Sequence, residues 1–168
     1  NMRDRCVRIG SAGKTFSMTS WKVGYLTAPA HLLGAIAKAH QFVTFTTPSN
    51  LQRAVATGLL LDDRYFSRLA LEQQAKRDRI DVRLKNAGFS TLSSEGTYFL
   101  TVDIRSIGFQ GTDIEFCEHL ICNVGVAAIP ISAFYQDAEV RQFVRFCFCK
   151  KDKLLDTACL RLARHFQN

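Results

Sequence analysis

The sequence of 168 residues has no apolar run approaching the roughly 20 residues that a membrane-spanning helix needs. Its opening residues, NMRDRCVRIG, lack the basic end, apolar stretch and cleavage site of a secretory signal. Both absences lead to the expectation of a soluble, cytoplasmic protein with no membrane partner. Six cysteines, Cys6, Cys117, Cys122, Cys147, Cys149 and Cys159, contain neither the CxxC pairs of zinc sites nor the framework of a small secreted domain. They are expected to be reduced thiols that serve mostly in packing. The histidines His31, His40, His119 and His165 show no metal-ligand spacing with Cys or Asp, so no metal is expected. Internal repeats and low-complexity tracts are absent, which excludes solenoids and arrays.

What is present is the composition of a globular chain, 47% hydrophobic and 22% charged, and long enough to bury roughly 70% of its unfolded surface. A net charge of +7 raises the question of nucleic acid. The basic residues Arg64, Arg68, Lys76, Arg77, Arg79, Arg83 and Lys85 alternate with Asp62, Asp63, Glu72, Asp78 and Asp81, the pattern of a solvated helix face. No nucleic-acid partner is expected.

Along the chain, Arg5 to Gly10 reads as a strand already under way, followed by the polar segment SAGKTFSMTS, so the chain is expected to start inside a domain. Val23 to Pro29 reads as a second strand, and His31 to Val43 has helical spacing. Pro48 is suited to starting a helix with Leu51, Ala54, Val55, Leu59 and Leu60 on its buried side, and a charged helix is expected from about Asp63 to Asn86. From Ser90 the pattern becomes short strands with one helix: GTYFLTVDI, Thr112 to Cys122, VAAIP and QFVRFCFCK. Thr112 and Glu115 fit a capping box. The final helix, Asp152 to Phe166, aligns Leu155, Cys159, Leu162 and Phe166 on one face. The expected architecture is an α+β layer with one helical wall and a domain boundary near residue 60.

The stretch richest in chemistry is Ser11 to Tyr25. A lysine on a small-residue turn after a strand is placed to hold a carbonyl compound as an imine, and here that lysine is Lys14. The hydroxyls of Ser11, Thr15 and Ser17 and a second cation at Lys22 supply donors and charge for a phosphate. Two ordinary exposed lysines flanking a turn are equally compatible with the spacing alone. Farther on, alternation in QFVRFCFCK puts Phe143, Arg145, Cys147 and Cys149 on one face and Val144, Phe146 and Phe148 on the other. A guanidinium on such a strand needs an anionic partner, either a structural carboxylate or a substrate. Asp103 and Glu95 read as strand-end and turn residues rather than general acids.

The longer match, Ser11-x-Gly13-Lys14-Thr15-Phe16-Ser17 with Trp21-Lys22-Val23-Gly24-Tyr25, resembles the lysine-attachment signature of the fold-type I aminotransferases that use pyridoxal 5'-phosphate (PLP). It is most similar to the kynurenine/glutamine transaminase group. The resemblance continues through GTYFL (Gly96 to Leu100), GVAAIPIS (Gly125 to Ser132), Phe134 and FVRFCFCK (Phe143 to Lys150), which look most like the bacterial methionine aminotransferases of that group. It implies an α/β chain in which residues 1–60 form the C-terminal part of the PLP-binding large domain and residues 61–168 a small C-terminal α+β domain. It implies further that Lys14 carries the cofactor covalently, that Ser11 and Lys22 hold its phosphate, and that Arg145 grips the substrate carboxylate. Phe45 would reach into the neighbouring subunit's pocket of a homodimer.

The implied reaction is transamination between an amino acid, methionine, aromatic or glutamine-like, and a 2-oxo acid. A PLP-dependent β-lyase acting on cysteine conjugates uses the same lysine, and a non-catalytic truncated chain is a third reading. Two positions depart from the family pattern: Ser20 replaces a usual Gly, which bears on the turn, and Thr46 stands where the animal kynurenine transaminases have His, which bears on substrate preference. The resemblance covers only the later part of the family's chain. The acidic partner of the pyridine nitrogen belongs to the earlier part, so these residues alone are expected to be inactive.

Overall fold

The structure, a computed structural model, describes residues 2–136 and 139–167. The chain divides into two compact units, Asn1–Leu69 and Ala70–Asn168. The division falls within the long charged helix, Asp63–Asn86, in the helical region in or beside which the sequence places a boundary near residue 60.

In the first unit, strands β1 (Arg8–Ser11) and β2 (Gly24–Thr27) form an antiparallel hairpin, with Arg8 opposite Thr27 and Ser11 opposite Gly24. The strand is shifted from the expected Arg5–Gly10. Met2–Arg5 forms a 3-10 turn instead, and the ladder begins only where β2 offers backbone partners. A Cβ on Gly10 would lie 2.5 Å from the ring of Tyr25, so glycine there lets the opposing tyrosine lie across the strand. The one-turn helix α1 (Ala12–Thr15) and a 3-10 turn, Thr19–Trp21, fill the connection.

Helices α2 (Ala30–Val43) and α3 (Ser49–Leu59) follow Pro29 and Pro48, which occupy their N-cap positions with φ of −58° and −49°. A proline there sacrifices a backbone N–H that the helix start could not have bonded. The core of this unit is small: Ala12, Val23 and Val55 are buried, and Phe16, Met18 and Leu51 pack on them. The expected buried side of α3 is therefore mostly uncovered. Leu59 and Leu60 are 41% and 86% exposed, because within this unit only the part of α3 around Val55 has the hairpin loop to pack against.

Helix α4 (Asp63–Asn86) starts in the first unit, where Tyr65 and Phe66 of its opening turns meet Phe16 with ring centroids 5.9 and 6.3 Å away. From Ala70 onward it belongs to the second unit. There, β3 (Ser90–Thr91), β4 (Phe99–Asp103), β5 (Ile129–Pro130) and β6 (Phe143–Cys147) make an antiparallel sheet in the order β3-β4-β6-β5. Alternation along β4 and β6 buries Leu100, Val102, Val144 and Phe146 and leaves Phe99, Thr101, Arg145 and Cys147 half-buried on the other face.

The buried face is covered by Ile80 and Leu84 of α4, Phe116 and Cys117 of helix α5 (Asp113–His119), and Leu155, Cys159 and Leu162 of helix α6 (Asp152–Phe166). Buried Phe89 and Phe116 and half-buried Phe166 pack edge-on or tilted against one another, and full burial of a phenyl contributes about 1.5–3 kcal/mol. The expected capping box is present: the Thr112 hydroxyl accepts from the Glu115 amide while the Glu115 carboxylate accepts from the Thr112 amide. Asp103 ends β4 and accepts from the Arg105 amide, a turn-capping role.

Candidate functional site

The hairpin delivers the polar segment between its strands as a tightly folded loop. Ser11 ends β1 in extended geometry and caps α1, its hydroxyl accepting from the Gly13 amide at 3.3 Å. Gly13 is buried, and a Cβ there would sit 3.2 Å from the Thr19 Cα, so a small residue lets the loop fold back on itself. Its carbonyl accepts from the Met18 amide at 2.8 Å and the Thr19 hydroxyl at 3.3 Å, which ties the returning limb to α1. Lys14 is exposed on this single turn. The Ala12 amide donates to the Val23 carbonyl at 3.0 Å, so the backbone limbs that carry Lys14 and Lys22 run side by side.

Lys22 has a left-handed backbone, φ 55° and ψ 37°, as has Ser17 with φ 53°. A non-glycine residue in that region costs roughly 1–2 kcal/mol and persists only where the surroundings impose it. Ser20 lies within the 3-10 turn and has no positive φ, so serine meets the local geometry that glycine usually occupies. Phe45 follows the end of α2 with φ 65° and is 77% exposed. Its amide donates to the His40 carbonyl at 3.2 Å, which holds the turn that presents the ring.

Arg145, in the second unit, sits in the middle of β6 between Thr101 of β4 and Ile129 of β5. Its guanidinium lies 4.4 Å from the centroid of the Phe99 ring and 4.3 Å from that of Phe134. Such cation–π contacts contribute about 0.5–2 kcal/mol each and fix the plane of the fork. Among the described residues no carboxylate pairs with it. The structural-carboxylate alternative for Arg145 therefore has no partner there, and the donors at the edge of the fork remain available to a planar anion.

The architecture and these residues have close parallels. The aminotransferase class I and II family matches residues 1–162. The chain belongs to this family. The kynurenine–oxoglutarate transaminase of Dictyostelium discoideum is 41% identical over 177 residues, covering 94% of this chain and 41% of that protein. The solved methionine aminotransferase YbdL of Escherichia coli superposes with a TM-score of 0.90 at 40% identity, over 98% of this chain and 43% of that one. The N-succinyldiaminopimelate aminotransferase of Mycobacterium tuberculosis gives a TM-score of 0.90 at 41% identity, with coverage of 98% and 43%. The chain thus has part of the fold-type I architecture, mixed helix and sheet, and spans less than half the length of these relatives.

The family's cofactor, PLP, asks for a primary amine for its aldehyde and for hydroxyl and cationic donors for its phosphate. The Ser11–Lys22 loop offers this set: Lys14, Ser11 and Lys22, on limbs tied together by the Ala12–Val23 and Gly13 hydrogen bonds. The residues fit the group.

Three residues escaped the sequence reading as site components. Phe99 and Phe134 lie in motifs that it noted, yet their pairing around Arg145 requires the sheet. Asp113 is fully buried, with its carboxylate accepting from the Ser132 amide at 2.7 Å and the Ser132 hydroxyl at 2.9 Å. An acidic residue in the first turn of a helix reads as a complement to the helix dipole, so no local signal marks it.

Proposed function

We propose that this chain supplies the lysine, phosphate-binding and carboxylate-binding residues of a PLP-dependent aminotransferase that exchanges the amino group of an amino acid, methionine, aromatic or glutamine-like, with a 2-oxo acid. The observation that carries this reading is Arg145, held between Phe99 and Phe134 with no acidic partner among the described residues. All amino acids and 2-oxo acids share a planar carboxylate, and a guanidinium matches it with two parallel charge-assisted hydrogen bonds. Family membership supports the rest.

Lys14 is the residue that would hold the cofactor, with the Ser11 hydroxyl and the Lys22 ammonium on its phosphate. When bound, PLP supplies an aldehyde that condenses with amines and a ring that accepts the electron pair released at the substrate's α carbon. The Lys14 amine, when free, would serve as the base that takes the α proton and returns it. Arg145 would fix the carboxylate end of the substrate through the two prongs of its guanidinium. Phe45, strongly exposed close in sequence to the still more exposed Phe42 and Val43, would act in the neighbouring subunit of a cytoplasmic homodimer.

The test is direct. Purified full-length protein with PLP, a panel of amino acids and a 2-oxo acid acceptor should yield the matching keto acid and the aminated acceptor in equal amounts. Absence of amino transfer from every member of the panel would reject the reading.

A further inference from the structure

Cys147 and Cys149 flank Phe148, which is 1% exposed and whose amide donates to the Tyr98 carbonyl at 2.8 Å. That anchor turns both cysteines onto the opposite, half-buried side, and their Sγ atoms approach to 3.3 Å. A disulfide needs a separation of about 2.05 Å, so closure asks for little more than 1 Å of approach by two side chains already converging. Cys147 is also the register partner of Phe99, whose ring covers the Arg145 guanidinium.

We propose that Cys147 and Cys149 form a reversible dithiol–disulfide site, oxidised by small-molecule disulfides, whose closure weakens carboxylate binding at Arg145. The coupling to substrate rests on the reading of Arg145 given above; the dithiol site does not. In the first step one cysteine thiolate attacks the external disulfide, making a mixed disulfide and releasing one thiol. In the second, the other thiolate displaces the remaining external sulfur. The two cysteines together lose two protons and two electrons, and the external S–S bond becomes two thiols.

Residues two apart close almost no chain, so little loop-closure entropy favours the bond and it stays open to reduction, as a switch requires. Closure draws the Cys147 side chain along the strand toward Cys149 and away from its place beside Phe99. The ring that sets the plane of Arg145 then loses a neighbour. The other thiols behave differently: Cys117 and Cys159 are buried, and burial pushes the Cys117 thiol up to about 11, which leaves it without useful thiolate. Cys6 and Cys122 are exposed and, among the described residues, have no second thiol beside them, so a mixed disulfide would be their end point.

The experiment uses the full-length protein loaded with PLP, exposed to glutathione disulfide, alkylated, digested and weighed. The peptide spanning Cys147 and Cys149 should resist alkylation and lose the mass of two hydrogen atoms, and dithiothreitol should restore it. Oxidised enzyme should show a severalfold higher KM for amino acids with kcat much less changed, and the double variant Cys147→Ser with Cys149→Ser should not respond. Two alkylated thiols, or glutathione adducts that never resolve, overturn the dithiol site. A disulfide with unchanged KM, in a protein where Arg145→Ala does raise KM, overturns the coupling. If Arg145→Ala leaves KM unchanged as well, the reading of Arg145 falls while the disulfide itself still supports the dithiol site.

Discussion

The buried carboxylate of Asp113 is tied to Ser132 by two hydrogen bonds, one from the backbone amide at 2.7 Å and one from the hydroxyl at 2.9 Å. Ser132 begins the 3-10 turn that ends at Phe134, the ring 4.3 Å from Arg145. The first turn of α5 thus holds the loop that covers the guanidinium. The Asp113 amide in turn donates to the Arg141 carbonyl at 2.8 Å, close to β6 itself.

Asp113→Ala should lower stability by about 2–4 kcal/mol, because it strands two buried donors of Ser132. Asp113→Asn should lose less, since it keeps one acceptor. In the surviving folded fraction, KM for amino acids should rise more than kcat falls, as Phe134 loosens over Arg145. Chemical denaturation and steady-state kinetics on the same samples check both, and an unchanged KM would reduce Asp113 to a purely structural role.

Lys14→Ala in the full-length protein should abolish borohydride-fixable PLP and reduce turnover by several orders of magnitude, because in the proposed reaction binding of the aldehyde and proton transfer both use that amine. Mass spectrometry after reduction reads the first effect. Near-normal amino transfer by the variant would transfer the role to another residue.

Arg145→Ala should cut kcat/KM roughly ten- to several hundred-fold for every amino acid, since two charge-assisted hydrogen bonds of about 1.5–3 kcal/mol each are at stake. Arg145→Lys should recover only part, as a point charge lacks the two-pronged fork. Amines without a carboxylate serve as the control and should change little. Uniform losses across carboxylates and plain amines would contradict the clamp.

Glu115 carries the pH dependence of the capping box. Hydrogen bonds from the Thr112 amide and hydroxyl hold its carboxyl below the ordinary value. The sign follows from linkage: the folded pKa lies below the unfolded one, so the stabilisation is present above the unfolded value of about 4.3 and disappears as pH falls through the lowered one. Comparing Tm of wild type and Glu115→Gln from pH 7 to pH 3 should show a gap that narrows on acidification. A gap independent of pH would assign the effect to something other than the charged carboxylate.

Periodicity and capping chemistry made much of the secondary structure legible. Helix α4 runs from Asp63 to Asn86 as its charge pattern implied, and α6 buries Leu155, Cys159 and Leu162 as their spacing implied. These are local properties: a cap or an apolar stripe is written within a few residues of where it acts. The loop from Ser11 to Lys22 was likewise legible, because a tight turn dictates its own small and hydroxyl-bearing residues.

What only the tertiary structure decided is everything that joins distant strands. The contacts of Arg145 with Phe99 and Phe134 depend on the registers of β6 with β4 and with β5, and a slip of one residue would turn the Arg145 side chain to the other face. The exposure of Leu59 and Leu60 follows from where α3 finds cover, which helical spacing alone does not contain. Asp113 and Ser132 are 19 residues apart, and the need of a buried carboxylate for donors is met across that gap, where no sequence pattern records the pairing.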